Sequence, residues 1–399
     1  MSKNFKRIML IIALLSLNVV EQAASVVNAT IPGMAKSFPQ ESLVNIELVT
    51  TVVSIFVTIF VLISGAVVRY IGQRNTAILG LIIATISSLI PAVSTNFTVI
   101  FISRAVLGIG IGLANPLAIS LIGSFFTGDT RAKLLGWRSA IAGVGTSIMT
   151  YLAGQLLVFN WHAAYWVYLL FVPTLLLFIF FVPEPNSTEE ENSVSTQDNE
   201  VKTTTHDGLI LITLLTLLIF VFLSGGMILA IKLPTYFIDF HIGSATQASN
   251  AWSMYNIANV IGGILFGYAY RYLKKYILPL GLLFYGLGIF LTSFTRNLSL
   301  IYFLCFATGI FGALVIPYIF NKISESFSTS KAPFYTSIAL VGSNLGSFLA
   351  PYSGQLMGQT AVKAIFHSGL ILIILAIIIL IVFVLQNGRR QNDSKIKIN

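Results

Sequence analysis

Apolar residues gather along this chain into long blocks separated by short polar stretches. A block of roughly 20 apolar residues is what a helix needs to cross about 30 Å of hydrocarbon. Twelve such blocks can be drawn, over 8–33, 43–69, 75–94, 98–126, 134–158, 164–183, 208–231, 248–271, 276–294, 298–322, 333–358 and 364–386. The ten-residue alternation of a membrane β-barrel is absent. The pattern predicts an all-α membrane protein with twelve transmembrane helices.

The pattern also occurs twice. Gly65, Arg69 and Tyr70 close the second block, and Gly267, Arg271 and Tyr272 close the eighth, 202 residues later. Pro32 and Pro234 share that offset. Gly108 and Pro116 match Gly309 and Pro317 at 201, and Gly154, Gln155 and Leu156 match Gly354, Gln355 and Leu356 at 200. A duplicated unit predicts two pseudo-symmetric six-helix bundles facing one another, with function at their interface. The expected division is a bundle over 1–183, a linker over 184–207, a second bundle over 208–386 and a basic cytoplasmic tail over 387–399. The linker carries seven acids and almost nothing apolar, the composition of a disordered cytoplasmic tether.

Composition agrees: 56% of the 399 residues are hydrophobic, 9% are charged, and mean hydropathy is +0.88. The net charge of +9 is spread through short loops, so it signals topology and not a nucleic-acid partner. With an inner N-terminus, 18 of the 23 Lys and Arg fall on the inner side, Arg138 included, and four fall outside, Lys232 included. The positive-inside rule then puts both termini in the cytoplasm of a multi-pass plasma-membrane protein of bacterial type. The basic-then-apolar start from Lys3 to Ala24 is similar to a secretory signal, but cleavage there would destroy the Pro32/Pro234 equivalence. Cys305 is the sole cysteine, which excludes an intrachain disulfide. No His–carboxylate cluster has metal-ligand spacing and no catalytic constellation presents itself, so neither an enzyme nor a cofactor is expected.

Against this apolar background a few polar residues stand out. Asn18, Glu21, Ser25 and Asn28 fall at i, i+3, i+7 and i+10, one face of the first helix, with Gln22 beside them. Lipid cannot solvate that row, so it should face protein or water. Glu21 reads as the one carboxylate near the membrane midplane, where an ionised acid costs about 3 kcal/mol. Arg104, sharing a helix face with Gly108 and Asn115, reads as the matching cation. An ion pair that protonation of Glu21 would release is the expectation, with a permanent packing pair as its alternative. At the duplication offsets Glu21 meets Leu223 and Arg104 meets Cys305, so only the first half carries the charges. Tyr255, Asn256 and Asn259 beside Trp252, and Asn344 near Ser347, are further candidates for either helix packing or substrate contact. The glycines 108, 110 and 112 sit within an apolar helix, which points to close packing and not to a nucleotide loop.

With these residues in view, the chain resembles a major facilitator superfamily transporter, and more particularly its 12-helix drug–proton antiporters. Gly65, Arg69, Tyr70, Gly72 and Arg74 are similar to the family's loop signature between helices two and three. Arg104 with Gly108 resembles its proton-coupling motif in helix four. Asp129, Arg131, Lys133 and Gly136 fit the usual start of helix five, and Trp161 with Pro173 that of helix six. Two departures stand out. Arg69 occupies a place where the signature has Asp, and the glycine–proline motif of antiporter helix five is reduced to Gly145 and Gly154.

The resemblance implies rocking of the two halves around a midmembrane cavity lined by helices one, four, seven and ten. That would bring Glu21, Asn28, Arg104 and Asn115 together, with Gly225 and Gly226 as a flexible point. It also implies gate contacts, read here as Arg69 with Glu325 and Arg271 with Asp129, near Gly267. The function so implied is proton-coupled export of a small amphipathic compound by a monomer, driven by the proton gradient without a cofactor. The alternative is proton-coupled uptake of a metabolite such as an organic acid, with Arg104 receiving its carboxylate.

Overall fold

The computed structural model describes residues 3–185, 205–328 and 331–396, all of its regular structure being helical. Most of the segment read as a tether, 186–204, lies outside the described residues. Span 1 comes in pieces: Lys3–Gln22, two 3₁₀ turns at Ala23–Ser25 and Asn28–Thr30, then Ile31–Ser37. Spans 2 to 6 are Leu43–Ile71, Gln73–Val93, Phe97–Phe125, Gly128–Leu156 and Ala163–Phe181. Spans 7 to 10 are Thr205–Asp239, Ala245–Leu273, Ile277–Thr292 and Leu298–Ser326. Span 11 covers 332–357 with an interruption at Leu349, and span 12 is Ala361–Ile396. One apolar core is built almost wholly from spans 1 to 6 and a second from spans 7 to 12.

The duplication extends to single atoms. Ser42 caps span 2 by accepting from the Asn45 amide, and Ser244, 202 residues on, caps span 8 from the Gln247 amide. Asn96 and Asn297 cap spans 4 and 10 in the same way. Gly108 presses on Val53 of span 2, and Gly309 presses on Tyr255 of span 8, the equivalent residue. Gly72 leaves span 2 with φ +83°, a conformation that suits glycine, and its counterpart Lys274 leaves span 8 with φ +47°.

An even number of spans leaves both termini on one face, called here the terminal face. At the opposite, far face the halves are tied together. Ser147 of span 5 and Ser253 of span 8 each donate a hydroxyl to the other's carbonyl, at 2.9 and 2.8 Å. Ser249 donates to the Thr150 carbonyl at 2.7 Å and Gln155 to Asn250 at 3.2 Å. On the other flank Thr51 of span 2 donates to the Phe348 carbonyl of span 11 at 3.2 Å. Towards the terminal face the seam parts: Gly143 is still pressed on Val260, whereas Gly65, Gly136, Gly263 and Gly267 have open space where a side chain would start. The halves therefore enclose a cleft that opens on the terminal face.

Candidate functional site

At the apex of that cleft Glu21 meets Arg138, not Arg104. Arg138 of span 5 sends Nη2 to both carboxylate oxygens of Glu21, at 2.9 and 2.8 Å, and Nε to the Asn18 carbonyl oxygen. Asn18 is anchored in turn by its amide on the Leu14 and Leu15 carbonyls, at 3.2 and 3.1 Å. Asn115 of span 4 stands beside the carboxylate. Gly143, pressed on the opposite half, and Gly136, beside open space, bracket Arg138 along its helix. The planar guanidinium divides its donors between two acceptors here, Nη2 on the carboxylate and Nε on Asn18.

Arg104 has a different task, which corrects the expected Glu21–Arg104 pair. It is fully buried and donates to backbone: Nε to the Val49 carbonyl at 3.2 Å and Nη2 to the Ala24 carbonyl at 2.6 Å. Nη1 reaches the Tyr168 hydroxyl at 3.1 Å, and that hydroxyl donates to the Ala23 carbonyl at 2.9 Å. The Tyr165 and Tyr168 rings flank the cation, their centroids 5.9 and 5.6 Å away. No carboxylate among the described residues comes within ion-pair distance of it. The physical reason lies in span 1: its 3₁₀ turns leave carbonyls that need donors, and Arg104 and Tyr168 supply them.

The same turns split the polar row of span 1. Asn18 and Glu21 share Arg138, and Gln22 is exposed. Asn28 is instead buried at 3% exposure, and neither amide atom has a partner among the described residues. With Ser25, Thr150, Ser249 and Trp252 it lines a cavity of about 10 Å³ between the halves, room for about one water. The Trp252 indole nitrogen is likewise unpartnered, its ring stacked on Tyr255 with centroids 4.3 Å apart. Asn256 reaches the Thr150 hydroxyl at 3.4 Å, and Asn259 donates to the Gly309 carbonyl at 3.5 Å. Asn344 is half-buried in span 11.

The expected gate pairs are not formed in this conformation. Arg69, Arg271 and Asp129 are exposed and in no ion pair among the described residues. Glu325 is engaged within its own half by Asn321 at 2.7 Å, Tyr270 at 3.1 Å and Lys322 at 3.9 Å. The reason is the parted seam, since both pairs would have to bridge the open face. Arg74 does a local job, tying the start of span 3 to the Ile179 and Val182 carbonyls of span 6, close to Gly72 and Glu184.

Three embedded charges, Lys232, Glu47 and Arg138, escaped the sequence reading, and they correct the view of Glu21 and Arg104 as a lone pair. The loop tally places Lys232 outside, but span 7 continues through Pro234 to Asp239 and buries it at 4% exposure. Its Nζ lies 2.7 Å from Glu47 of span 2, which is 0% exposed. The approach lacks the alignment of a hydrogen bond, and neither carboxylate oxygen has another partner among the described residues. Arg138 is the third: it lies inside the predicted span 134–158, although the loop tally places it on the inner side. Moving one residue from each tally leaves the charge imbalance intact.

A family model described as Major Facilitator Superfamily matches residues 13–268 and 214–397. The multidrug transporter protein MdtP of Bacillus subtilis (strain 168) is 29% identical over 184 residues, 45% of this chain and 33% of that protein. The chain thus aligns with only a third of that relative's length. The protein TsgA homolog of Buchnera aphidicola subsp. Baizongia pistaciae (strain Bp) is 24% identical over 294 residues, 72% of this chain and 73% of that one. Among solved structures, a D-xylose–proton symporter superposes with a TM-score of 0.72 over 95% of this chain and 97% of its own, at 16% identity. That last likeness concerns the fold alone.

Proposed function

Because the chain belongs to the major facilitator superfamily and is a membrane transporter of that fold, we propose that it exports small, partly apolar compounds in exchange for protons. The observation that carries this reading is the Glu21–Arg138 pair, held by Asn18 and with Asn115 beside it, at the apex of the cleft. A proton on Glu21 cancels its charge and ends the charge-assisted bonds to Arg138. That weakens the tie between span 1 and span 5, the helix that runs along the opposite half, and leaves Arg138 held to Asn18 alone. Loss of the proton restores the clamp, so cargo and proton can compete for one locus.

With the termini cytoplasmic, as the loop charges favour, the open terminal face is the inward one and cargo enters from the cytoplasm. The multidrug name of the Bacillus relative supports export. The uptake reading relied on Arg104 as a carboxylate receptor, and that guanidinium is committed to backbone carbonyls and Tyr168.

The test is reconstitution in liposomes with an imposed pH gradient, screening cationic, neutral and anionic compounds. Cargo-driven proton flux is expected in the native chain and should vanish in Glu21→Gln. Proton flux that survives this substitution would overturn the assignment.

A further inference from the structure

The Glu47–Lys232 pair lies apart from the cleft apex and joins opposite halves: Glu47 stands on span 2 and Lys232 on span 7. Its surroundings come from both halves as well. The Lys232 stem lies against Gly354 of span 11, and Thr51, one turn along from Glu47, donates to the Phe348 carbonyl. The duplication does not account for it. At the 202 offset Glu47 corresponds to Ser249, which donates to Thr150 across the seam, and Lys232 to Thr30, whose hydroxyl reaches the Val27 carbonyl and Met34 Sδ within its own half. One flank of the far face is thus closed by neutral polar groups, and the other carries a charge pair beside the Thr51–Phe348 bond.

Charge has a specific merit at this place. Apolar side chains facing each other across the seam would favour closure by the area they bury. A buried ion pair is different: it carries a desolvation cost while closed and recovers hydration as soon as water enters. The closed state is held by the attraction of two buried charges 2.7 Å apart. It is also reversible, because both charges are solvated once the halves part.

We propose that Glu47 and Lys232 are positioning residues for transport, holding the far face shut in the present conformation and separating each time that face opens. The pair acts on the balance between the two conformations and takes no part in binding cargo or protons at Glu21.

A single reporter thiol tests this. Ala248 is buried behind the far-face seam, and Cys305, the one natural thiol, can be replaced by serine. Full-length Ala248→Cys protein in liposomes is treated with a membrane-impermeant maleimide. Glu47→Gln strands the Lys232 charge and should raise the labelling rate at least about tenfold. The exchanged variant Glu47→Lys/Lys232→Glu should return it towards the parent rate. The apolar variant Glu47→Leu/Lys232→Leu should label more slowly than the parent and lose transport. An unchanged labelling rate in a stably folded Glu47→Gln protein overturns the proposal, as does parental transport by the apolar variant. If Glu47→Gln fails to fold, the exchanged and apolar variants decide. None of these readings depends on proton flux, so the latch and the role of Glu21 stand or fall separately.

Discussion

The two halves treat equivalent positions of their first helices in opposite ways. Span 1 loosens into 3₁₀ turns at Ala23 and Ala24, residues with high helix propensity. Span 7 carries Gly225 and Gly226 at the same places, 202 residues on, and remains one α-helix from Thr205 to Asp239. Local propensity would have forecast the reverse. The difference lies in what stands opposite. In the first half Arg104 and Tyr168 hold the Ala23 and Ala24 carbonyls. In the second half Arg104 is replaced by Cys305, which has no comparable donor. Gly225 and Gly226 make room instead, for Leu372 and the Tyr285 hydroxyl. Tertiary donors loosen one helix, and close packing explains the glycines of the other.

Arg104→Met is the strongest way to break this comparison. It removes the donors while keeping much of the bulk, and the loss should be about 4 kcal/mol. The buried Cys305 thiol reports it, because a fluorogenic maleimide reacts only as the protein unfolds on heating. Unchanged thermal stability would mean that span 1 loosens on its own. Gly226→Ala drives a methyl group into the Tyr285 hydroxyl and should cost about 1–3 kcal/mol. Adding Tyr285→Phe should recover part of that loss, and a neutral Gly226→Ala would remove the packing explanation. Lys274→Gly gives the second half the residue found at Gly72. It relieves a positive φ on an exposed turn, with an expected gain of up to about 1 kcal/mol in the same assay.

Much of the architecture was legible because hydrocarbon demands long apolar helices and the duplication repeats its landmarks. Two spans are less plainly apolar than the others. Gly128–Leu156 and the interrupted span 11 are not long and apolar enough to be taken as crossings on composition and length, and they are equivalents in the two halves. Both lie along the seam, where serines, threonines and Arg138 face protein and not lipid.

The site was less legible. A helical wheel assumes an unbroken helix, and the turns after Gln22 take Asn28 away from Glu21. Lys232 was lost by ending span 7 at residue 231, although the Pro32/Pro234 match already placed the following proline inside a span. Arg138 was lost because it follows Arg131 and Lys133 and was counted with them. Sequence spacing identifies which charges are embedded, but their partners depend on how the helices are rotated.

The far-face seam has a thermal consequence. Along its hydrogen-bonded length it is made of serine and threonine hydroxyls, amides and one ion pair. Opening it hydrates polar groups there, and polar hydration lowers heat capacity while apolar hydration raises it. The polar groups therefore offset part of the rise that comes from apolar contacts between the halves, such as Ile228, Ile231 and Ala350 on the first core. The free-energy difference between the closed and open far face is then expected to curve less with temperature than an all-apolar seam would make it.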